Sequence, residues 1–326
     1  MTNQTIKLGA GPQVSRIALG CMGMSAIYGD ADEAESIATI HAALDRGVNL
    51  LDTGDFYGHG HNEMLIGRAL RGRRDQALLS VKFGALRGPD GAFIGIDCRP
   101  VAVKNAIGYT LARLGVDHID IYRPARLDPA VPIEDTIGAI ADLIKTGHVR
   151  AIGLSEVGPD TIRRAAAVHP ITDLQIEYSL ISRGPEDRIF PLLADLGIAV
   201  TAYGVLSRGL LTASRLLPGD FRAALPRFTG ENRERNQRLV AALERLAAAR
   251  GVRPAQLAIA WVLAKGRSIV PVIGARTRAQ LDESLGALAI ELSAVELAEI
   301  ERAIPASEVA GTRYGAPQMQ HLDSEH

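Results

Sequence analysis

Short apolar segments alternate with longer segments of helical periodicity along the whole chain of 326 residues. Apolar runs of about four to eight residues bounded by turn signals indicate buried strands, whereas apolar positions spaced by three and four indicate amphipathic helices. The pattern predicts an N-terminal β-hairpin with its turn at Gly11 and Pro12, followed by eight strands. The predicted strands cover residues 16–22, 48–55, 77–83, 118–125, 149–156, 173–180, 198–204 and 268–275.

Amphipathic segments separate these strands, and several of them end in glycine, the usual residue after a helix C-terminus. Each strand and helix together occupy roughly 40 residues, as expected of βα crossovers. Eight such units predict an α/β fold, a (β/α)8 TIM barrel that forms a single domain over residues 1–326. An open doubly wound sheet is the alternative, but no strand is followed by the G-x-G-x-x-G pattern that opens a helix in dinucleotide-binding sheets.

Three segments interrupt the even spacing of the strands. They are residues 84–98, residues 205–234 and the tail from about residue 305. In a barrel the first two are loops at the C-terminal ends of strands, which is the catalytic face of this fold. Because long loops on that face usually form binding sites, we expect these loops and the tail to shape a substrate pocket.

The composition narrows the class of protein. Hydrophobic residues make up 47% and charged residues 22%, and the net charge of -1 offers no basic surface for a nucleic acid. Cys21 and Cys98 are far apart and outside any C-x-x-C motif, so a disulfide framework or zinc site is not expected. The chain has no signal-peptide pattern and no long apolar run, which predicts a cytoplasmic protein without a membrane partner and leaves its oligomeric state open.

Lysine is scarce, and one lysine stands out for its position. Only five of the 36 basic residues are lysines, and Lys82 lies in the apolar segment LLSVKFG. A buried ammonium needs a counter-charge, which Asp52 at the end of the preceding strand can supply. A plain buried ion pair is one interpretation. The other includes Tyr57, because a phenol beside a lysine cation is a better proton donor, suited to protonating a carbonyl oxygen.

Further polar residues occur at the predicted C-terminal ends of nearly all strands. Because that end of the barrel carries the active site, we expect them to converge on one site. They are Asp55, Arg123, Arg126, Ser155, Glu156, Gln175, Glu177, Tyr203, Gly274 and Arg276.

Several segments together resemble the aldo-keto reductase superfamily, in particular its bacterial and plant branch. They are LDTGDFYGHGHNEMLIGRAL (51–70), SVKFG (80–84), GLSE (153–156), LQIEYSL (174–180), TAYGVLSRGLLT (201–212) and VPVIGARTRAQLDESLGAL (270–288). The resemblance spans essentially the whole chain in the right order. It implies a TIM barrel that binds NADPH (NADP+) without a Rossmann fold and reduces a small aldehyde or ketone.

The resemblance also implies roles for individual residues. Tyr57 would donate the proton, Lys82 would promote that donation, and Asp52 would hold Lys82. The implied cofactor-binding residues are Ser155 and Gln175 at the nicotinamide carboxamide, Tyr203 stacked on the nicotinamide, Gly204, Leu206, Ser207, Arg208 and Gly209 over the pyrophosphate, and Gly274, Arg276, Gln280 and Glu283 around the adenosine 2′-phosphate. A guanidinium at Arg276 suits a phosphate and so favours NADPH over NADH.

The chain departs from the family pattern at the fourth strand, where the catalytic histidine of the family is replaced by Ala125. That histidine binds the substrate carbonyl, so its loss removes one hydrogen-bond donor. Arg123, Arg126, or the loop histidines His59 and His61 could supply a donor, and a larger water-filled pocket is equally compatible with the sequence. Two further departures are Glu156 and Ser284, each at a position where many members have asparagine.

The sequence is also compatible with two other functions. The first is an NADPH-binding sensor or regulatory subunit with little turnover, because the usual histidine is Ala125. The second is a barrel lyase or isomerase with Lys82 as a Schiff base, which the accompanying Tyr57 and the cofactor segments disfavour. We expect no bound metal, because His59 and His61 lie on a glycine loop without a spaced third ligand.

Overall fold

A computed structural model describes residues 5–25, 31–212 and 221–326. Its centre is a closed barrel of eight parallel strands, each hydrogen-bonded to the next. This confirms the predicted (β/α)8 architecture, and each barrel strand falls on one of the predicted apolar segments. The barrel strands are β3 (Ala18–Gly20), β4 (Leu50–Gly54), β5 (Leu78–Phe83), β8 (Ile119–Pro124), β9 (Val149–Ser155), β10 (Ile171–Glu177), β11 (Ala199–Tyr203) and β12 (Ile269–Gly274).

Helices surround this barrel and bury their apolar faces against the outside of the strands. The interface contains most of the buried aliphatic side chains of the described residues. No helix in the ranges that the structure describes is long and apolar enough to cross a membrane. The helices are α1 (Glu33–Asp45), α2 (His61–Ala69), α3 (Pro100–Leu114), α4 (Ile133–Lys145), α5 (Pro159–Val168), α6 (Pro185–Leu196), α7 (Gly230–Ala249), α8 (Pro254–Ala264), α9 (Arg278–Leu285), α10 (Ala294–Ala303) and α11 (Ala316–Met319).

The predicted N-terminal hairpin is present and closes the bottom of the barrel. Its strands β1 (Thr5–Lys7) and β2 (Gln13–Ser15) pair antiparallel. Leu8 and Val14 are buried in a separate apolar cluster with inward-facing barrel residues such as Leu50. The N-terminal end of the barrel is thus sealed by apolar packing, which leaves the opposite end for polar side chains.

All three predicted irregular segments contain some regular structure. Residues 84–98 include a second antiparallel hairpin of β6 (Ala85–Arg87) and β7 (Phe93–Ile96). The first five residues of α7, from Gly230, fall within the predicted loop 205–234, and positions 213–220 lie outside the described residues. The tail after residue 305 forms short helical turns over the barrel mouth.

Candidate active site

The alternation of side chains along each strand places polar residues inside the upper half of the barrel. On β4 and β5, Asp52 and Lys82 both point inward, and the Lys82 ammonium lies 2.5 Å from Asp52 Oδ1. Lys82 also donates to Gln175 Oε1 at 2.9 Å, while Gln175 Nε2 donates to Asp52 Oδ2 at 2.7 Å. The three side chains form a closed hydrogen-bonded ring that fixes the direction of the ammonium.

Tyr57 lies on the short helical turn that follows β4, and this turn brings its phenol ring to Lys82. The ring centre is 5.3 Å from Lys82 Nζ, and the tyrosine side chain is buried. The turn reverses sharply at Gly58 and His59, which both adopt left-handed backbone conformations. Burial lowers the pKa of Lys82, the neighbouring carboxylate of Asp52 opposes this effect, and the net pKa lies below the usual lysine value.

A second buried ion pair lies inside the barrel, close to Asp52 and Lys82. Arg123 on β8 pairs with Asp173 on β10 at 2.8 Å, and both side chains are completely buried. Ser80 connects the two ion pairs, because its hydroxyl accepts from Arg123 at 2.9 Å and donates to Asp52 Oδ2 at 3.0 Å. Gly153 provides the space for this pair, since a Cβ atom there would lie 2.9 Å from the Arg123 guanidinium carbon.

The residues expected at the nicotinamide carboxamide lie next to one another at the ends of β9 and β10. Ser155 pairs with Gln175 in the strand register. The Ser155 hydroxyl is buried and has no hydrogen-bond partner within the described ranges. An unpartnered buried hydroxyl is unusual, and a carboxamide would satisfy it. Gln175, in contrast, already has both ends of its side chain bonded to Lys82 and Asp52.

Tyr203, the residue expected to stack on the nicotinamide, ends β11 and lies beside the C-terminal tail. Its hydroxyl donates to Glu156 Oε1 at 2.7 Å and lies 3.1 Å from the hydroxyl of Tyr314. Neither Tyr314 nor its neighbour Arg313 stands out in the sequence. Arg313 donates to both carboxylate oxygens of Glu156, at 2.8 and 2.9 Å.

Glu156 is therefore the anchor of the tail at the barrel mouth. Its backbone is left-handed, with φ of 53°, and its side chain is fully buried. Burial alone would raise the pKa of Glu156, but the hydrogen bonds and charge of Arg313 lower it to about 2. A buried carboxylate at a strand end needs a cationic partner. This is the one feature of the sequence from which a cation such as Arg313 could have been predicted.

The segment expected over the pyrophosphate begins with a tight turn after β11. Gly204 has φ of 68°, and a Cβ atom there would lie 2.8 Å from the Glu177 side chain, so the turn requires glycine. Ser207 and Arg208 also adopt left-handed conformations, which are strained for residues with side chains. The Arg208 guanidinium lies 4.4 Å from the ring centre of Tyr314, so the tail also contacts this segment. The remaining predicted members of the segment are the partly exposed Leu206 and Gly209.

The residues expected around the adenosine phosphate follow β12. Gly274 is exposed at the end of the strand, and a Cβ atom there would meet only one atom within 4 Å, the Gly20 carbonyl oxygen at 3.9 Å. The Arg276 backbone amide donates to Gln280 Oε1 at 2.9 Å, which orders the entry into α9. Glu283 lies on α9 and is partly exposed, and Ser284 donates to the Gln280 carbonyl oxygen at 2.9 Å.

Three of the four groups considered as replacements for the missing histidine have partners elsewhere. Arg123 is committed to the buried pair described above. His59 bonds to the carbonyl oxygen of Gly88 on the β6–β7 hairpin at 3.0 Å. His61 lies between Ser25 and Glu33, at 3.0 and 2.7 Å. Arg126 is the only one of the four that faces the site, as described below.

The two loop histidines have different partners: His59 bonds to Gly88, whereas His61 bonds to Ser25 and Glu33. Their ring nitrogens are therefore not directed at one shared metal position. Across residues 5–25, 31–212 and 221–326, no three His, Cys, Asp or Glu side chains are grouped so as to hold a metal ion. Cys21 and Cys98 are both buried as free thiols.

The chain is thus a closed parallel barrel with a lysine, a carboxylate and a tyrosine at its C-terminal end, the end that carries the active site in barrel enzymes. The aldo/keto reductase family model matches residues 16–305. The chain is 42% identical over 320 residues to probable aldo-keto reductase 1 of Glycine max, covering 95% of this chain and 92% of that protein. It is 38% identical over 336 residues to the NADP(+) aldo-keto reductase yakc of Schizosaccharomyces pombe, covering 99% and 98%.

Solved structures with the same fold include two oxidoreductases. A glycerol dehydrogenase from Gluconobacter oxydans has a TM-score of 0.84 and 30% identity, covering 94% of this chain and 97% of that one. An aldo/keto reductase from Klebsiella pneumoniae, in complex with NADP and acetate, has a TM-score of 0.75 and 25% identity, covering 96% and 99%. The chain belongs to the aldo/keto reductase family and is an oxidoreductase, which confirms the resemblance read from its motifs.

Proposed function

We propose that this protein reduces an aldehyde or ketone to the alcohol with NADPH, and that Asp52, Tyr57 and Lys82 are its catalytic residues. The observation that carries the proposal is the Lys82 ammonium, held by Asp52 at 2.5 Å and directed at the Tyr57 ring at 5.3 Å. A plain structural ion pair would not require a tyrosine on a strained turn beside it. The NADP(+) in the name of the fission-yeast relative and in the Klebsiella complex supports the choice of cofactor.

The residues present fit this cofactor. The unpartnered hydroxyl of Ser155 can bind the carboxamide, and the Tyr203 ring lies one strand beyond Gln175. The remaining proposed cofactor-binding residues are Gln175, Gly204, Leu206, Ser207, Arg208, Gly209, Gly274, Arg276, Gln280 and Glu283. NADPH supplies a hydride when it is bound.

The residues of the chain supply the proton. Tyr57 donates its phenol proton to the carbonyl oxygen as negative charge develops there. The Lys82 ammonium stabilises the phenolate that remains, because the two groups lie in a buried site where electrostatic interactions are strong. Asp52 holds Lys82 in its charged form and in position. We further propose that residues 1–326 act as one domain, because the hairpin, the barrel and the tail pack on one another.

A reductase assay separates this function from the sensor alternative. The full-length protein is incubated with NADPH and a panel of small aldehydes and ketones, and the absorbance of NADPH at the nicotinamide band is followed. We expect repeated turnover with at least one carbonyl compound. Stoichiometric binding of NADPH without turnover on any panel member would favour the sensor.

A further inference from the structure

Arg126 is a guanidinium at the barrel mouth, immediately after Ala125. Its Nη1 donates to the carbonyl oxygen of Ala125 at 2.6 Å, so the side chain folds back onto the backbone of the residue that replaces the histidine. Protein atoms surround most of the Arg126 side chain, but part of its surface is accessible to solvent. In the described ranges, no carboxylate lies within 4 Å of it and no second acceptor bonds to it.

Three other arginines of the mouth have carboxylate partners. Arg208 and Arg227 pair with Glu177 at 3.3 and 3.4 Å, and Arg313 pairs with Glu156 at 2.8 Å. Arg126 is different, because Glu156, the carboxylate whose charge acts on it, already has both oxygens bound to Arg313. Burial of a guanidinium without a partner anion costs desolvation free energy. A ligand that supplies an anion would offset this cost.

The groups around Arg126 are those of the proposed active site. Burial opposes the charge of Arg126, but the oxygens of Tyr203, Tyr314, Glu156 and Tyr57 act on it electrostatically and raise its pKa. Its charge in turn acts on Lys82. Backbone hydrogen bonds tie the two segments to the same strand, because the Ala125 amide donates to the Phe83 carbonyl oxygen at 2.8 Å and the Asp55 amide donates to the Lys82 carbonyl oxygen at 2.9 Å. Arg126 and the proposed proton donor Tyr57 therefore follow strands on either side of β5, at the same end of the barrel. The guanidinium stays charged at any physiological pH.

We propose that Arg126 binds a substrate carboxylate, and that the substrates are carbonyl compounds with a carboxylate on the carbonyl carbon, that is, 2-oxo acids. The planar fork of a guanidinium matches a carboxylate with two parallel hydrogen bonds. Because Arg126 and Tyr57 follow the two strands that flank β5 at the same end of the barrel, the carboxylate and the carbonyl oxygen must be close together in the substrate. The reduction of such substrates rests on the proposed function, whereas the binding of their carboxylate rests on Arg126 alone.

The reaction is balanced with the groups already named. The carbonyl carbon gains a hydride from NADPH, the carbonyl π pair moves onto oxygen, and this oxygen takes the proton of Tyr57. The products are the 2-hydroxy acid and NADP+, and Tyr57 regains its proton from water. Arg126 keeps its charge throughout and anchors the carboxylate.

The test uses an acid and its neutral ester, which differ in charge at one group. The kcat/KM values for phenylglyoxylate and methyl phenylglyoxylate are measured for the wild type, Arg126→Gln and Arg126→Lys. We expect the wild type to prefer the acid and Arg126→Gln to lower the acid-to-ester ratio about 100-fold, because the buried charge pair is lost. Arg126→Lys keeps the charge without the fork and should retain part of the preference. Arg150→Gln, on an exposed arginine at the opposite end of the barrel, is the matched control.

A binding measurement keeps this inference separate from the proposed function. Titration of phenylglyoxylate into the protein with NADP+, followed by calorimetry, measures binding without turnover. We expect Arg126→Gln to weaken the binding of the acid at least about 30-fold and to leave that of the ester unchanged. An equal affinity of wild type and Arg126→Gln for the acid overturns the inference, even if aldehydes are reduced. Arg126-dependent binding without any carbonyl reduction sustains the inference and contradicts the proposed function.

Discussion

The ammonium nitrogen of Lys82 lies 2.5 Å from a carboxylate oxygen of Asp52, and both side chains are only 6% exposed. In such a pair each charge is stabilised by the other, because burial keeps water from hydrating either one. The pair contributes to folding as well as to the proposed chemistry, and variants can separate these two contributions.

Removal of one partner of this pair should destabilise the protein strongly. Asp52→Asn or Lys82→Met should lower the free energy of unfolding by about 3–5 kcal/mol, since each leaves one buried charge without its partner. The double variant should recover much of this loss, because no unpaired charge remains. Urea unfolding measures the stability, and reductase assays on the same preparations measure turnover.

The two measurements should diverge in the double variant. We expect its stability to return while its turnover stays absent, since the ammonium that acts on Tyr57 is gone. A double variant that regains both would mean that the pair is only structural.

Asp55, two residues before Tyr57, should make stability depend on pH. Burial, with the nearby charge of Glu63, raises the pKa of Asp55 to about 7. The folded protein therefore binds a proton that the unfolded chain has released above its ordinary aspartate pKa, so stability falls as the pH rises from about 4 through 7. Asp55→Asn abolishes this loss and should be more stable than the wild type above pH 7 by roughly 1–4 kcal/mol.

Thermal unfolding at pH 5 and pH 8 checks this expectation. The advantage of Asp55→Asn should be larger at pH 8 than at pH 5, and Asp75→Asn, on an exposed loop, should show no such change. An advantage that is independent of pH would mean that Asp55 does not titrate in this range.

Arg313 should hold the tail on the barrel mouth. Arg313→Gln removes both bonds to Glu156 and leaves this buried carboxylate without its cation, so the tail should become accessible to chymotrypsin at Tyr314. Because Glu156 also accepts from Tyr203, we expect the Kd for NADPH to rise about 10-fold. Arg235→Gln, which breaks an exposed pair with Glu308 at 3.4 Å, is the control. Equal proteolysis of both variants would argue against the anchor.

Arg276 should set the preference for the phosphorylated nucleotide. Fluorescence titration of the wild type should show tighter binding of NADPH than of NADH, and Arg276→Leu should weaken NADPH binding about 10-fold or more while changing NADH little. Arg278→Leu is a neighbouring control, because Arg278 is already paired with Glu35 at 2.9 Å. Equal or tighter binding of NADH by the wild type would contradict the role of Arg276.

The barrel and the pairing of Lys82 with Asp52 could be predicted from the sequence, because both follow from local pattern. Strand-length apolar runs mark the barrel, and parallel strands bring their C-terminal ends together, so a lysine and an aspartate at adjacent ends must meet. The hairpin in residues 84–98 was missed because its strands are short and partly exposed, with glycines that weaken a strand pattern.

Contacts between distant parts of the chain could not be predicted. Glu156 and Arg313 are 157 positions apart, and their pairing depends on the path of the tail over the mouth. The ion pair of Arg123 and Asp173 was also missed, and Arg123 was considered as a substrate donor instead. Arg123 is fully buried on β8, where its guanidinium reaches Asp173 on β10, and this pairing depends on the closure of the barrel.

The most direct test of the account is the rate of hydride transfer in Tyr57→Phe. A single turnover with saturating NADPH and a reducible aldehyde is followed by stopped-flow absorbance, and the Kd for NADPH is measured on the same variant by fluorescence. The proposed proton donor predicts a rate lower by about 100-fold to 10,000-fold with a Kd within about twofold of the wild type. A Tyr57→Phe rate close to that of the wild type would contradict the assignment of Tyr57 as the proton donor.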